Sequence, residues 1–447
     1  MKLDRANLIQ GWLSALVAYP AAERMEKRSI TPKRNALRRH YALPFAQRKQ
    51  IAQNNLVQTL QFAGAQVPYY KDLFQQTGFD PAKVATDIGY LQDLPCLTKD
   101  IIREQGTRLL SRPLEGLRHH DMKTGGSTGV SAHIFYDQEG IDHAAAVVLY
   151  ARERVGKYKH RFELHFACKF PDPPPASDKW TREDWKCLAM NRSNIFFDRM
   201  DDVGLEEMWQ LLLHRRPYLV HGHPSTIHAL ACYIGRQYGS AKAFEVFESS
   251  GELLEPYMRE KIAQALQCRV INRYGLAELG VMAYELDGEA GGLQVLDSEG
   301  WAESLPFPGS DSGEQELVFT GFHNKLMPMI RYRTGDMATV SQTAKAFVLN
   351  NVVGRIHDLV PINGIDHATH HVQDMLDHRV GGVQEFQIDL RTSPPTLRIV
   401  PEASASTDEI LAKIKGFWQD GFDVQFVGHD ELVRVGHQAK FRHVVHP

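Results

Sequence analysis

The stretch DMKTGGSTGVSAHIFYD, residues 121–137, decides how the rest of the chain is read. From Thr124 to Val130 every residue is glycine, hydroxyl-bearing or small, and an alternating apolar run follows. A loop that holds phosphate needs backbone N–H groups that converge on the anion without Cβ obstruction, and hydroxyls that can donate. Gly125, Gly126 and Gly129 meet the first need, and Thr124, Ser127 and Thr128 meet the second. The Walker loop of kinases and GTPases is excluded, because Val130 stands where its lysine belongs. The glycine spacing does not fit a dinucleotide loop either. Taken alone, these residues leave a phosphate loop and a flexible turn both open.

The rest of the composition narrows the setting. At 447 residues the chain can hold two or three domains, each with its own core. Its 51 basic and 54 acidic residues give a formal charge of −3, with no basic surface for nucleic acid or for a membrane. The five cysteines are widely spaced and form no Cys-x-x-Cys pair, which fits free thiols in a reducing compartment. The longest apolar run, around HAAAVVLYA, is too short to span a bilayer. At the N-terminus, Leu8, Trp12, Leu16 and Val17 have the spacing of an amphipathic helix rather than of a signal peptide. The expected location is cytoplasmic.

Working outward, residues 1–120 read as a mainly helical leader. Residues 121–350 alternate short strands (AHIFYD, FELHFAC, YLVHGHP, AFEVFES, CRVINRYG, QELVFTGF) with helices (HAAAVVLYARERVG, STIHALACYIGRQYG, PYMREKIAQALQ). That repetition predicts an α/β core with substantially parallel pairing. KFPDPPPASDKWTRED reads as a proline-rich surface insertion. Beyond NNVVGRIHDLVPINGID, strands around one helix predict a small mobile α+β domain. The expected division is a large domain over 1–353 and a small one over 354–447, hinged at residues 354–358.

Other motifs stand in order behind the glycine loop. INRYGLAELG sets Tyr274, Gly275 and Glu278 at a strand exit, where open α/β sheets bind ligands. MIRYRTGDMATV brings Arg331, Arg333 and Asp336 around a glycine turn, and a carboxylate there can accept from ribose hydroxyls. GRIHDLV holds Arg355 and His357 at the presumed linker, and GHQAKFRHVV holds Lys440 near the C-terminal end.

TGGSTG, RYGLAE, YRTGD, GRIHD and AKFR, in this order and at these spacings, resemble the core motifs of the acyl-, aryl- and aminoacyl-adenylate-forming superfamily. VPYYKDLFQQTGFDP and LQDLPCLTKDIIRE look like the leader of its phenylacetate–CoA ligase branch. VHGHPS and SSGELLEPYMRE look closest to the capsule-biosynthesis (CapK-like) members of that branch. The resemblance covers nearly the whole chain and implies a mixed, largely parallel α/β domain with a small C-terminal domain.

It also implies roles. The loop would embrace the β- and γ-phosphates of ATP while a substrate carboxylate attacks the α-phosphorus. Glu278 would help to hold Mg²⁺, whose oxygen ligation suits one carboxylate plus phosphate. Asp336 would bind the ribose hydroxyls, and Tyr274, Gly275 and the backbone of Gly251 and Glu252 would border the nucleotide. His165, His221, His223, Pro224 and Ser249 would line the acyl pocket. Arg355 would contact ribose or phosphate, His357 would act as hinge, and Lys440 would place a point charge against carboxylate and α-phosphate.

The chain departs from the pattern at Val130–Ser131, at His357 and at PINGID (361–366), the region that meets the thiol acceptor. The adenylate half-reaction is therefore carried by more motifs than the thioester half. The leading reading is a ligase that activates a small, aromatic carboxylic acid and passes it to coenzyme A. Loading of a carrier-protein phosphopantetheine, amide formation, AMP transfer to a hydroxyl and an inactive nucleotide-binding protein share the same motifs. Whether the chain forms a homodimer is not legible. If DHATHHVQDMLDH is helical, His367, His371, His378 and Asp374 share a face at near metal-ligand spacing, with a plain polar face as the default reading.

Overall fold

The structure, a computed structural model, describes residues 5–123, 132–168, 180–197, 202–288, 291–306, 315–355, 359–368, 372, 375–435 and 440–446. The chain divides into two compact units. One comprises Met1–Ala15, Lys159–Val270 and Val353–Pro447, and the other Leu16–Tyr158 and Ile271–Val352.

In the first unit, four parallel strands run in the order Val246–Ser249, Leu219–Gly222, Glu163–Cys168, Arg192–Phe197. One sheet face carries Leu164, Phe166, Val220 and Phe247 into a core with helices Asp202–Arg215, Pro224–Tyr238 and Pro256–Leu266. Helix Pro224–Tyr238 starts with proline at its first turn and is buried without a break from Pro224 to Ile234, so it is central rather than amphipathic. Gly239, at φ 71°, follows its last residue.

The same unit holds an α+β module with a core of its own. Strands Asp423–Phe426, Thr396–Pro401, Val383–Asp389 and Val444–Val445 lie in that order, and helix Thr407–Trp418 packs Ile410, Ile414 and Trp418 against Phe386, Ile388 and Leu397. Ser406 caps that helix by accepting from the Glu409 N–H at 3.4 Å, and Asp408 and Glu409 suit its positive end. The conditional helix does not begin at residue 366, although Val372 and Met375 are helical. His367 lies on strand Ile365–Ala368, paired with Leu359–Ile362, because a Pro-Ile-Asn-Gly turn folds the segment into a hairpin. His378 falls in the short helix Leu376–Val380, which directly follows helical Met375, while His371 and Asp374 lie outside the described residues.

The second unit begins with helices. Ala52, Leu56, Leu60 and Ala63 form a buried stripe at helical spacing on Phe45–Gln66, packed with Tyr70, Leu91, Leu94, Leu97 and Tyr332. Helix Gln138–Arg154 is capped by the Asp137 carboxylate, which accepts from the Gly140 N–H at 2.9 Å. The unit's sheet follows the order Gly300–Pro306, Gln315–Gly321, Tyr332–Gln342, Phe347–Arg355, Leu293–Val295, Gly280–Tyr284, Arg269–Leu276. Its registered pairings are antiparallel. Parallel pairing is thus narrower than the alternating pattern predicts, since short connections make hairpins and cannot accommodate a crossover helix. Among the described residues no helix is long and apolar enough to cross a membrane.

Candidate functional site

In the second unit the hairpin from Arg269–Leu276 to Gly280–Tyr284 sets out Tyr274, Gly275 and Glu278. A bulge falls between Tyr274 and Gly275, and a Cβ on Gly275 would lie 2.3 Å from the Gly280 carbonyl oxygen. Only glycine fits there, and the bulge re-aims the tyrosine. The Tyr274 hydroxyl donates to Asp336 Oδ2 at 2.6 Å, which unites two residues that lie far apart in sequence. Asp336 is buried on strand Tyr332–Gln342, just after Gly335 at φ 76°.

Glu278, 4% exposed, sits in the hairpin turn. Its Oε1 accepts from the Tyr332 hydroxyl at 2.9 Å and lies 3.8 Å from Lys99 Nζ. Tyr136 donates to the Ala277 carbonyl at 3.1 Å, and burial, aided by the Glu278 charge, pushes its phenol well above the usual value. The result is a buried carboxylate flanked by two tyrosines and an ammonium. Its described contacts fall on Oε1, so the residues present fit a magnesium ligand that uses the other oxygen.

Lys99, Tyr332 and Tyr136 lie inside the quoted stretches, Tyr332 heading YRTGD itself, but the motifs assign them no role. Lys99 had one signal, since it follows Thr98, whose hydroxyl caps helix Lys99–Gln105 by accepting from the Ile101 N–H at 3.3 Å. The segment around Leu97 runs beside Tyr332, with Leu97 N bonded to the Arg331 carbonyl at 3.0 Å and Arg333 N bonded to the Leu97 carbonyl at 2.9 Å. Of the two arginines in the YRTGD region, Arg331 is scaffold. At φ 47° and 3% exposed, it pairs with Glu303 through Nε and Nη2 and donates to the Gln92 and Leu94 carbonyls. Arg333 pairs with Glu316 at 2.6 Å, and Glu316 also accepts from the Gly335 N–H, which fixes the glycine turn.

In the first unit the residues expected around the acyl group split between sheet faces. His165, His221 and Glu248 share one register row and hence one face, whereas Ser249 belongs to the opposite face with Phe247. Each of these histidines has a buried carboxylate nearby, with His221 Nδ1 2.9 Å from Glu248 and His165 Nε2 3.3 Å from Glu163. His223 precedes Pro224 at the start of helix Pro224–Tyr238. Glu252 approaches that helix start, accepting from the Ser225 N–H at 3.3 Å with its other oxygen 3.6 Å from His223 Nδ1. A Cβ on Gly251 (φ 88°) would lie 3.0 Å from the His223 ring, so glycine allows the close approach.

Lys440 lies on strand Lys440–Phe441, opposite Val435 in the pairing with Arg434–Val435, and Arg434 reaches Ser225 Oγ at 3.5 Å. Arg355 ends strand Phe347–Arg355. Thr124, Gly125, Gly126, Ser127, Thr128, Gly129 and His357 lie outside the described residues.

A buried group that no motif signals lies close by in this unit. His443 Nε2 is 3.0 Å from Glu385 Oε1, which also accepts from Tyr257 at 3.3 Å. Burial opposes both charges, yet their mutual bond holds the imidazole above and the carboxyl below the ordinary range. His228, in ring contact with Tyr257, is pushed down to about 4 by burial.

The fold agrees with solved adenylate-forming enzymes. A 2-hydroxyisobutyryl-CoA ligase, crystallised in the postadenylation state with R3-HIB-AMP, superposes with a TM-score of 0.67 at 17% identity, covering 91% of each chain. In sequence the chain is 24% identical to Protein CapK of Staphylococcus aureus over 302 residues, 65% of this chain and 64% of CapK. It is 26% identical to phenylacetate–coenzyme A ligase of Escherichia coli over 322 residues, 69% of this chain and 71% of the enzyme. The chain thus matches a little under two thirds of CapK's length. No family model matches it. In fold the chain is thus similar to a CoA ligase that forms an adenylate, and in sequence to CapK and to phenylacetate–coenzyme A ligase.

Proposed function

We propose that the chain is an AMP-forming acid–thiol ligase. It joins a small carboxylic acid to AMP from ATP, releases pyrophosphate and passes the acyl group to the thiol of coenzyme A. The observation that carries this reading is the second unit's polar constellation, where Tyr274 is bonded to Asp336 and the Glu278 carboxylate is buried beside Tyr332 and Lys99.

In the first step a substrate carboxylate oxygen bonds to the α-phosphorus and the bond to the pyrophosphate leaving group breaks. The carboxylate is already a nucleophile, so the residues have only to orient it and offset charge on the phosphoryl oxygens. Asp336, oriented by the Tyr274 hydroxyl, accepts from the ribose hydroxyls, and the tyrosine ring borders the base. Glu278 would hold Mg²⁺, which when bound neutralises phosphate charge. Residues 124–129 hold the outer phosphates, and Lys440 and Arg355 approach the reacting groups from a small C-terminal domain that begins at residue 354. In the second step the thiol sulfur attacks the acyl carbon, the bond to AMP breaks and the thiol proton leaves to solvent.

The likeness to phenylacetate–coenzyme A ligase supports an aryl acid, housed near His165, His221, His223 and Pro224. A phosphopantetheine thiol on a carrier protein has the same nucleophilic atom as coenzyme A and is the alternative acceptor.

The test is ATP–pyrophosphate exchange across aryl and short aliphatic acids, with Lys440→Ala alongside. Acid-dependent exchange that falls about tenfold or more in the variant, at least 1.4 kcal/mol of transition-state stabilisation, is expected. Absence of exchange with every acid, in protein that binds ATP, rejects the proposal.

A further inference from the structure

The second unit contains a cluster that neither the nucleotide nor the acid requires. Three consecutive polar residues, Asp297, Ser298 and Glu299, are buried in the turn before strand Gly300–Pro306. Two of them are accounted for by the fold. Asp297 is paired with Arg48 at 2.5 Å and His40 at 2.7 Å, and Ser298 meets the Tyr41 hydroxyl at 3.0 Å. Glu299 is different. Both of its carboxylate oxygens lie 3.0 Å from Nε2 of His143 on helix Gln138–Arg154, and one also accepts from the Ser298 hydroxyl at 2.8 Å.

A second imidazole, His323, lies nearly face to face with His143, with ring centroids 3.4 Å apart and planes 19° from parallel. An ion pair between His143 and Glu299 has no need of that second ring, and two imidazolium ions so close would repel. Nε2 of His323 is 2.8 Å from the Ser298 carbonyl, a bond in which the nitrogen must donate. That fixes the tautomer and leaves Nδ1 as the lone-pair atom, the arrangement that orients metal-bound histidines. One donor atom from each of His143, Glu299 and His323 lies within 4.8 Å of the other two. Donors about 2 Å from a tetrahedral ion lie roughly 3.3 Å apart, so the set must draw inward and the near-parallel rings tilt toward each other for one ion to be held.

We propose that His143, Glu299 and His323 form a site for a divalent transition-metal ion, with zinc the natural occupant. Two imidazoles and one carboxylate are the donor set of a borderline ion rather than of magnesium or calcium, which favour all-oxygen shells. A bound ion would tie helix Gln138–Arg154, the 297–299 turn and the segment after strand Gln315–Gly321 into one cross-link. The site is separate in its residues from Glu278 and from the histidines at 367–378.

The experiment uses the full chain, stripped with chelator and titrated with Zn²⁺ and with Co²⁺ as a spectroscopic substitute. One ion per chain, visible ligand-field bands of four- or five-coordinate Co²⁺, and affinity reduced about tenfold or more in His323→Asn and Glu299→Gln are expected. The exposed His133→Asn serves as control. Failure of the wild-type chain to bind stoichiometrically, or equal binding by the ligand variants, overturns the site. Should those variants not fold, carbethoxylation of the wild-type chain with and without Zn²⁺ decides. Protection of His143 and His323 supports the proposal, and protection only at other histidines refutes it.

Discussion

A single glycine shows how narrowly the candidate site is built. Gly275 sits on a bulge where a methyl group would meet the Gly280 carbonyl at 2.3 Å, and Tyr274 depends on that bulge for its bond to Asp336. Gly275→Ala is expected to cost about 2 kcal/mol from overpacking, read as a lower urea midpoint at unchanged m-value. Stability equal to the parent would show that the hairpin can shift without strain. Tyr274, Gly275, Glu278 and Asp336 were legible in the sequence because each lies in a short run with its own chemistry. Lys99, Tyr136 and Tyr332 lie in quoted stretches too, but their roles were not legible, since a lysine after a helix cap and a tyrosine in a strand resemble many others until folding brings them to one carboxylate. The His143–Glu299–His323 set has no sequence signal at all. Its members are far apart in the chain, whereas the histidine run at 367–378 has near-ligand spacing but its first member, His367, lies on a hairpin strand.

At the scale of elements, the strands and helices named from hydrophobic period between residues 132 and 276 form within a few residues of their expected bounds, whereas helices Arg182–Met190 and Asp202–Arg215 and strand Arg192–Phe197 were not named. Direction of pairing does not follow from period, and the antiparallel sheet of the second unit was hidden for that reason. The module after residue 359 shows what an element adds to stability. Strand Val383–Asp389 ends in a buried carboxylate that bonds Arg391 at 2.6 and 2.8 Å and Arg398 at 2.9 Å. The Arg391 bonds, reinforced by Arg398, hold the Asp389 carboxyl far below its usual range. A depressed folded-state pKa means that this stabilisation is present above the unfolded value near 4 and is lost as pH falls below it. Asp389→Asn is thus expected to be about 2 kcal/mol less stable at pH 7, with the gap closing as the medium is acidified. A gap that does not change between neutral and acid melts would assign the loss to packing instead.

For the molecule as a whole, the order of elements along the chain is a poor guide to which parts pack together. One unit gathers three separate stretches of sequence and the other two. The C-terminal residues illustrate the consequence. Val444 and Val445, each 1% exposed, pair in parallel with Ile388 and Asp389, and His443 bonds Glu385 just before them. Deleting residues 434–447 to remove Lys440 would therefore also strip a strand from the sheet. That truncation is expected to lose about 3 kcal/mol or more from the two valines alone, seen as a lower and broader thermal transition. Lys440→Ala keeps both valines and is expected to melt close to the parent. If the two proteins melt alike, the terminal strand contributes no stability and truncation becomes a fair test of the lysine.

The sequence by itself determined the elements that a local period or cap can encode, and its ordered motifs carry the resemblance to adenylate-forming enzymes, because each is a short run readable without its surroundings. It also set the candidate nucleotide residues, each embedded in such a motif. Only the tertiary structure decided which groups share a proton and which donor atoms cluster. Tyr274 with Asp336, Glu385 with His443, and Glu299 with two histidines are all meetings of residues distant in the chain. Their energies depend on separations of a few ångströms and on exclusion of water, and linear spacing records neither.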